Sequence, residues 1–454
     1  MKIQFHGGVR TVTGSKFLIK ARATNKKEIN VLFECGMTQG TKEAEEENYK
    51  DFPFDPKQID YIFITHSHID HIGLLPKICK DGFKGKIFTT PPTIDIAKLI
   101  LEDSQNIMEM EARKEGKKPL YESADISKCL SLIEPINYGK KHKLEGETYF
   151  RFQNAGHILG SAIIEFWAEG KKIVFSGDLG NNPSPLLNPP KEIRQADYIV
   201  IESTYGDRNH EDKEERKERL ENVIEDTFCE KGALMIPAFA IERSQELLYE
   251  LNELVENNRV PRMPMFVDSP LAINVTEVYK KHSKFFNKKA IQSINYGDDL
   301  FKFPGLTLTK TSEESKSINR VAPPKMIIAG SGMSTGGRIL FHEKIYLPDP
   351  RSCLLIINFQ VENSRGRKLV EGAKNIEIFD ENIPVRAKIK TIEGYSSHAD
   401  KDGLYNWLCN FEKPVKQIFA VHGEMQASES LTQRIKDHLG IESTIPKKGQ
   451  EFQI

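Results

Sequence analysis

What the chain lacks narrows its class. Of 454 residues only six are cysteine (35, 79, 129, 229, 353 and 409), and none stands in a CxxC pair. That argues against a disulfide framework and a structural zinc knuckle, and the expected compartment is a reducing cytoplasm. There is no surplus of charge either: 64 Lys and Arg face 65 Asp and Glu, a formal net charge of −1. A protein that coats nucleic acid over its whole surface needs a large basic excess, so that class is excluded, while a local basic groove is not. Apolar runs such as residues 354–357 fall far short of the ~20 residues of a membrane span, so no membrane association is expected. The opening MKIQFHGGVR has neither the apolar core nor the cleavage site of a signal peptide. Nor does any Pro-, Gly- or Ser-rich tract suggest disorder. At roughly 150 residues per domain, the length predicts two or three domains with substantial cores.

What is present is a series of short β-branched runs, many ending in a polar or glycine-containing loop. Strands are predicted at 61–65, 172–176, 198–202, 233–237, 265–267, 326–329, 353–358, 388–392 and 417–421. Helical spacing is read at 211–230, 241–256 and 427–439. The fold class is α/β. Beyond about residue 205 the strand-then-helix alternation is that of a parallel sheet.

The sharpest motif follows the first of these runs: Thr65-His66-Ser67-His68-Ile69-Asp70-His71. His66 and His68 lie on one side of an extended stretch, and Asp70 and His71 can turn toward a second point. Neutral imidazole with carboxylate suits zinc and similar divalent metals. Further candidates stand at other predicted strand ends: His157 in Ala155-Gly156-His157, Asp178 in Ser176-Gly177-Asp178, and His422 in Val421-His422-Gly423. Each alone reads equally as a turn residue or helix cap. Together with the first cluster they read as ligands.

HxHxDH followed by GH and SGD resembles the metallo-β-lactamase-fold hydrolases. Glu202 in Ile201-Glu202-Ser203-Thr204-Tyr205-Gly206, His398 in Ser396-Ser397-His398-Ala399-Asp400, and His422 match motifs A, B and C of the β-CASP branch. That branch includes RNase J and the endonuclease of the cleavage and polyadenylation specificity factor. The resemblance implies an αββα metallo-β-lactamase sandwich, residues 1–206 and 385–454, split by an inserted α/β β-CASP domain at 207–384. It implies two zinc ions per chain, with manganese as the alternative. One would be held by His66, His68 and His157, the other by Asp70, His71 and His422, with Asp178 bridging. Glu34 stands where the family usually has Asp in a supporting position, which puts the surroundings of the ligands in question.

The implied activity is hydrolysis of single-stranded RNA by a two-zinc-activated water, leaving 5′-phosphate and 3′-hydroxyl ends. Asp70, Glu202 and His398 are the catalytic candidates, His398 giving a proton to the leaving oxygen while Glu202 orients it. The glycine-rich segment after strand 326–329 offers Ser331, Gly332, Ser334, Thr335, Gly336, Gly337 and Arg338 as a phosphate cradle; a tight strand-to-helix turn is the alternative. Arg243, Arg365 and Arg367 are candidate RNA contacts or solvated surface charges. Competing readings are a non-catalytic scaffold of an RNA-processing complex, a lactonase or thioesterase, and a DNA nuclease of the same branch. The full ligand set opposes the first, motifs A and B the second, and histidine rather than valine at 422 the third. A homodimer is expected by analogy only.

Overall fold

The computed structural model describes residues 1–23, 28–358, 360 and 364–454. They form two compact units: residues 1–184, 188–209 and 398–454 make the first, and residues 185–187 and 210–397 the second.

The first unit is built on two seven-stranded sheets. In one, the strand Lys2–Gly7 lies between Glu451–Gln453 and Lys16–Arg22, and the order continues through Glu28–Phe33, Tyr61–Phe63, Lys86–Thr89 and Ile133–Pro135. In the other, the order is Ser443–Thr444, Gln417–Val421, Tyr198–Glu202, Lys171–Phe175, Ala162–Ala168, Tyr149–Asn154 and Lys141–Lys143. Phenylalanines from both sheets fill the space between them; Phe33 stacks on Phe175 with ring centroids 3.7 Å apart and planes 11° from parallel. These two rings end the strands that lead toward Glu34 and Asp178. Helices cover the outer faces. Leu75–Lys80, Pro91–Glu115 and Ser123–Ser131 lie on the first sheet, and Lys401–Leu408 with Met425–Leu439 on the second. The result is the four-layer αββα sandwich expected from the sequence.

The strand Tyr198–Glu202 shows why its sequence is apolar up to its last residue. It pairs in parallel with Lys171–Phe175 on one side and Gln417–Val421 on the other, and Ile199 and Val200 are buried on opposite faces. The predicted strand 61–65 is shorter in the structure, ending at Phe63. Thr65 instead donates its N–H to the Glu34 carboxylate at 3.2 Å, which releases the chain into the histidine-rich loop.

The second unit centres on a six-stranded sheet in the order Leu306–Leu308, Met265–Asp268, Lys325–Ala329, Ala233–Pro237, Cys353–Ile356 and Lys388–Thr391. Every pairing is parallel. The helix read at 241–256 begins at Arg243, because Glu242 takes a left-handed backbone with φ of 63°. Among the described residues no helix is long and apolar enough to cross a membrane.

Candidate metal centre

Strand ends of both sheets of the first unit bring the predicted ligands together. His66 and His68 lie in the loop after Tyr61–Phe63, Asp70 and His71 in the one-turn helix Ile69–Ile72, and Asp178 just beyond Lys171–Phe175. His157 follows Tyr149–Asn154, and His422 follows Gln417–Val421. One donor set is His66, His68, His157 and Asp178; a second is Asp70, His71 and His422, each with its donor atoms within 4.8 Å of one another. His68 turns Nδ1 toward the Nε2 atoms of His66 and His157, at 3.1 Å from both. Asp178 Oδ2 lies 3.3 Å from His66 Nε2 and 3.5 Å from His157 Nε2. The same carboxylate reaches the second set, with Oδ1 3.5 Å from His71 Nε2 and Oδ2 3.7 Å from His422 Nε2.

The residues present fit metal ions. Donors around a tetrahedral zinc at ~2.0–2.1 Å stand about 3.4 Å apart, close to the spacings between these atoms. His71 is buried, yet neither ring nitrogen makes a hydrogen bond, and Asp178 Oδ1 has none either. Buried polar atoms left this way ask for a partner. Burial opposes a charge on His71, but the carboxylates of Asp178, Asp70 and Glu34 outweigh it and raise its pKa to about 10. Burial, with His71 and other nearby histidines, holds His66 and His422 well below the ordinary value, in the neutral form a metal requires.

Neighbouring groups orient the rings. Thr65 Oγ1 is 2.9 Å from His66 Nδ1, Ser15 Oγ is 3.1 Å from His422 Nδ1, and Glu34 Oε2 is 3.5 Å from His71 Nδ1. Ser15 stands in the Thr13-Gly14-Ser15 stretch where the family resemblance begins, but the sequence assigned it no role. Glu34, with its extra methylene, spans the Thr65 backbone and the His71 ring from a left-handed backbone (φ 64°).

Beside the two sets stand Glu202 and His398. Nδ1 of His398 lies 3.2 and 3.1 Å from the two Glu202 oxygens and 4.0 Å from Asp178 Oδ2. Glu202 is buried and also accepts from the Leu179 N–H at 2.7 Å. Backbone pairing of Gly180 with His398, and the Ala399 N–H donated to the Leu179 carbonyl at 2.7 Å, lock this second histidine in place.

The predicted RNA-contact residues lie in the second unit. In the glycine-rich loop, Ser331 Oγ accepts from the Thr335 and Gly336 N–H groups, and the Ser331 N–H donates to the Gly336 carbonyl. Gly332 offers its carbonyl to Gln360 Nε2, Ser334 donates to Glu343, and Gly337 has φ 73° with the Gly330 carbonyl where a Cβ would sit. These contacts are those of a tight strand-to-helix turn. Arg338 gives its guanidinium to Asp268 Oδ1 at 2.7 Å and to the Thr309 and Lys310 carbonyls. Arg365 donates to the Ser334 and Glu377 carbonyls, Arg367 to Glu371, and the buried Arg243 to Ser397 Oγ. Sequence reading missed Asp268, a buried carboxylate that gathers Thr309, Ser315, Arg338 and His342.

Comparison with known proteins agrees with this arrangement. Residues 17–87 match the metallo-beta-lactamase superfamily, residues 244–369 the Beta-Casp domain, and residues 382–446 the Zn-dependent metallo-hydrolase RNA specificity domain. Ribonuclease TTHA0252 of Thermus thermophilus is 36% identical over 93% of each chain. An RNase J-like protein of Methanocaldococcus jannaschii is 32% identical over 98% of each. Transcription termination factor FttA of Methanosarcina mazei is 29% identical over 96% of this chain and 69% of its own. A protein of unknown function from Enterococcus faecalis shares the fold, with a TM-score of 0.55 at 12% identity over 99% of both chains. The chain belongs to the β-CASP family of metallo-β-lactamase-fold ribonucleases.

Proposed function

We infer that this chain hydrolyses single-stranded RNA with two zinc ions, leaving 5′-phosphate and 3′-hydroxyl ends. The observation that carries the reading is Asp178, one carboxylate within 3.7 Å of nitrogens from both donor sets, with the His398–Glu202 pair alongside. His66, His68 and His157 would hold one ion, Asp70, His71 and His422 the other, and Asp178 both. When bound, such a pair lowers the pKa of a water nucleophile and neutralises charge on a phosphodiester. The chain's own groups do the rest. Glu202 accepts from Nδ1–H of His398 and so orients the ring and favours its imidazolium form, whose Nε2–H would pass a proton to the departing 3′ oxygen, leaving His398 neutral. Asp70 has a double part, as a ligand and as a charge that keeps His422 Nε2 turned inward from 3.7 Å.

The glycine-rich loop and Arg243, Arg365 and Arg367 remain proposed RNA contacts, the loop through its backbone N–H groups and the arginines through their guanidinium charge. Cytoplasmic location, manganese as an alternative metal and a homodimer belong to the same proposal. End-labelled RNA and DNA of matched sequence test it. RNA products with 5′-phosphate and 3′-hydroxyl ends are expected, whereas a 2′,3′-cyclic phosphate would mean attack by the ribose and sink the reading.

A further inference from the structure

The outer face of the second sheet is not helical all the way across. Its helical layer covers Ile163, Val174, Ile199, Ile201 and Ile418. Beyond that cover, the alternation of the strands turns a different set outward. Phe150, Phe152, Phe166 and Ile173 point into the inter-sheet core, so Tyr149, Arg151, Trp167 and Lys172 face the other way. On the last strand, His142 stacks on Phe150, which puts Lys141 and Lys143 on that same outer face.

These residues are neighbours by register. Tyr149 is opposite Trp167, Trp167 opposite Lys172, Lys143 opposite Tyr149, and Lys141 opposite Arg151. Three cations surround one indole: Lys141 Nζ at 4.4 Å from the ring centroid, Lys172 Nζ at 5.0 Å and the Arg151 guanidinium carbon at 5.5 Å. Lys141 also stands 4.5 Å over the Tyr149 ring. Glu165 on the same face is buried and takes Arg151 and Lys172 together. In the connecting turn, Glu145 accepts from the Tyr61 hydroxyl and Glu147 is exposed.

Like charges directly across a sheet oppose folding, and Lys141 with Arg151 is such a pair. Four cations set on two aromatic rings, two of them sharing the buried Glu165, form a surface complementary to a phosphate backbone with bases to stack. Flexible nucleic acid is held by this combination, cations for the backbone and ring faces for the bases. The strand Ala162–Ala168 connects this corner to the metal centre: Ala162 donates its N–H to Thr65 just before the ligand loop, and Trp167 stands five residues on. At ~3.3 Å per residue that is about 17 Å.

We propose that the Lys141–Lys143–Tyr149–Arg151–Trp167–Lys172 face is a secondary binding surface for single-stranded RNA, gripping a segment of substrate outside the bond being cut. It rests on the ribonuclease reading. The test uses the full chain with zinc, a 20-nucleotide unstructured RNA labelled with fluorescein, and bis(p-nitrophenyl) phosphate as a diester too small to reach this corner. Lys141→Glu combined with Lys143→Glu should weaken RNA binding about tenfold. It should also flatten the salt dependence by about 0.7 in log–log slope for each phosphate no longer neutralised. The ratio of RNA to small-diester hydrolysis should fall by a similar factor. The single change Lys143→Glu, at an exposed position, gives a milder version should the double variant fold poorly. Unchanged affinity and slope in a variant that cleaves both substrates would overturn the surface alone, and would point to a protein partner for it. A wild-type protein that hydrolyses the small diester but no RNA would overturn the ribonuclease reading and the surface with it.

Discussion

Ser15 Oγ stands 3.1 Å from Nδ1 of His422, although 407 residues separate them. The contact is one of several that hold this histidine in its left-handed backbone (φ 48°): its N–H donates to the Gly8 carbonyl, and its carbonyl accepts from Thr204 Oγ1. Removing the hydroxyl frees the ring to rotate. Ser15→Ala should lower affinity at the Asp70–His71–His422 set by about 10–100-fold, as loss of a ligand's orienting partner does. Metal content after dialysis at limiting zinc should fall from two toward one. Retention of both ions at wild-type affinity would contradict it.

Glu34 offers a sharper comparison. Its carboxylate serves the Thr65 N–H and lies 3.5 Å from His71 Nδ1. Glu34→Gln keeps an acceptor for Thr65 but removes the charge from His71. The fold should survive, with zinc affinity reduced by about 10–100-fold. Glu34→Ala leaves the buried Thr65 N–H without its acceptor and should cost a further ~1–3 kcal/mol in denaturant unfolding.

His398→Ala separates chemistry from metal binding. With Glu202 and both donor sets intact, metal content should stay at two while turnover falls by ~10²–10⁴. His66→Ala should instead lose metal. A His398 variant that also lost an ion would place that residue among the ligands.

In the second unit, Asp268 should act on stability rather than on RNA. Its burial raises the pKa, but bonds from His342, Ser315, Thr309 and Arg338 prevail and bring it down to about 2. A carboxylate depressed in the folded state contributes stability that is complete above its unfolded value and is lost as pH falls through the folded one. For Asp268 the window is therefore from about pH 4 down to about 2. Asp268→Asn should flatten acid unfolding in that window. Asp268→Ala, which strands the His342 and Arg338 donors, should destabilise by about 3 kcal/mol. By the same contacts, Arg338→Ala should lower the melting temperature and leave the salt dependence of RNA binding unchanged; a flattened slope would return Arg338 to the RNA.

The candidate metal ligands were legible because their chemistry is dense and local: four donors within six residues, then single donors at the ends of apolar runs. The strand Tyr198–Glu202 was equally plain, since a strand buried on both faces reads as a continuous apolar run, here Tyr198 to Ile201. Residues whose meaning lies in a distant partner were not. An arginine after a glycine-rich loop suggests a phosphate until Asp268, 70 residues earlier in the chain, is found against it. Ser15 had no role assigned until His422 was found against it, and Trp167 showed no cationic surroundings until the register of four strands set Lys141, Arg151 and Lys172 around it.

The pairing of the first strand with Glu451–Gln453, and the placement of His422 between Gly8 and Ser15, also govern timing. A ribosome adding roughly 5–20 residues per second takes about 20–80 s to travel from Ser15 to His422. For most of that interval, from the completion of the HxHxDH loop at His71 onward, the emerging chain lacks His422, the last of the candidate ligands, beside the messenger that encodes it. The protein is thereby unarmed while it is nearest to its own transcript.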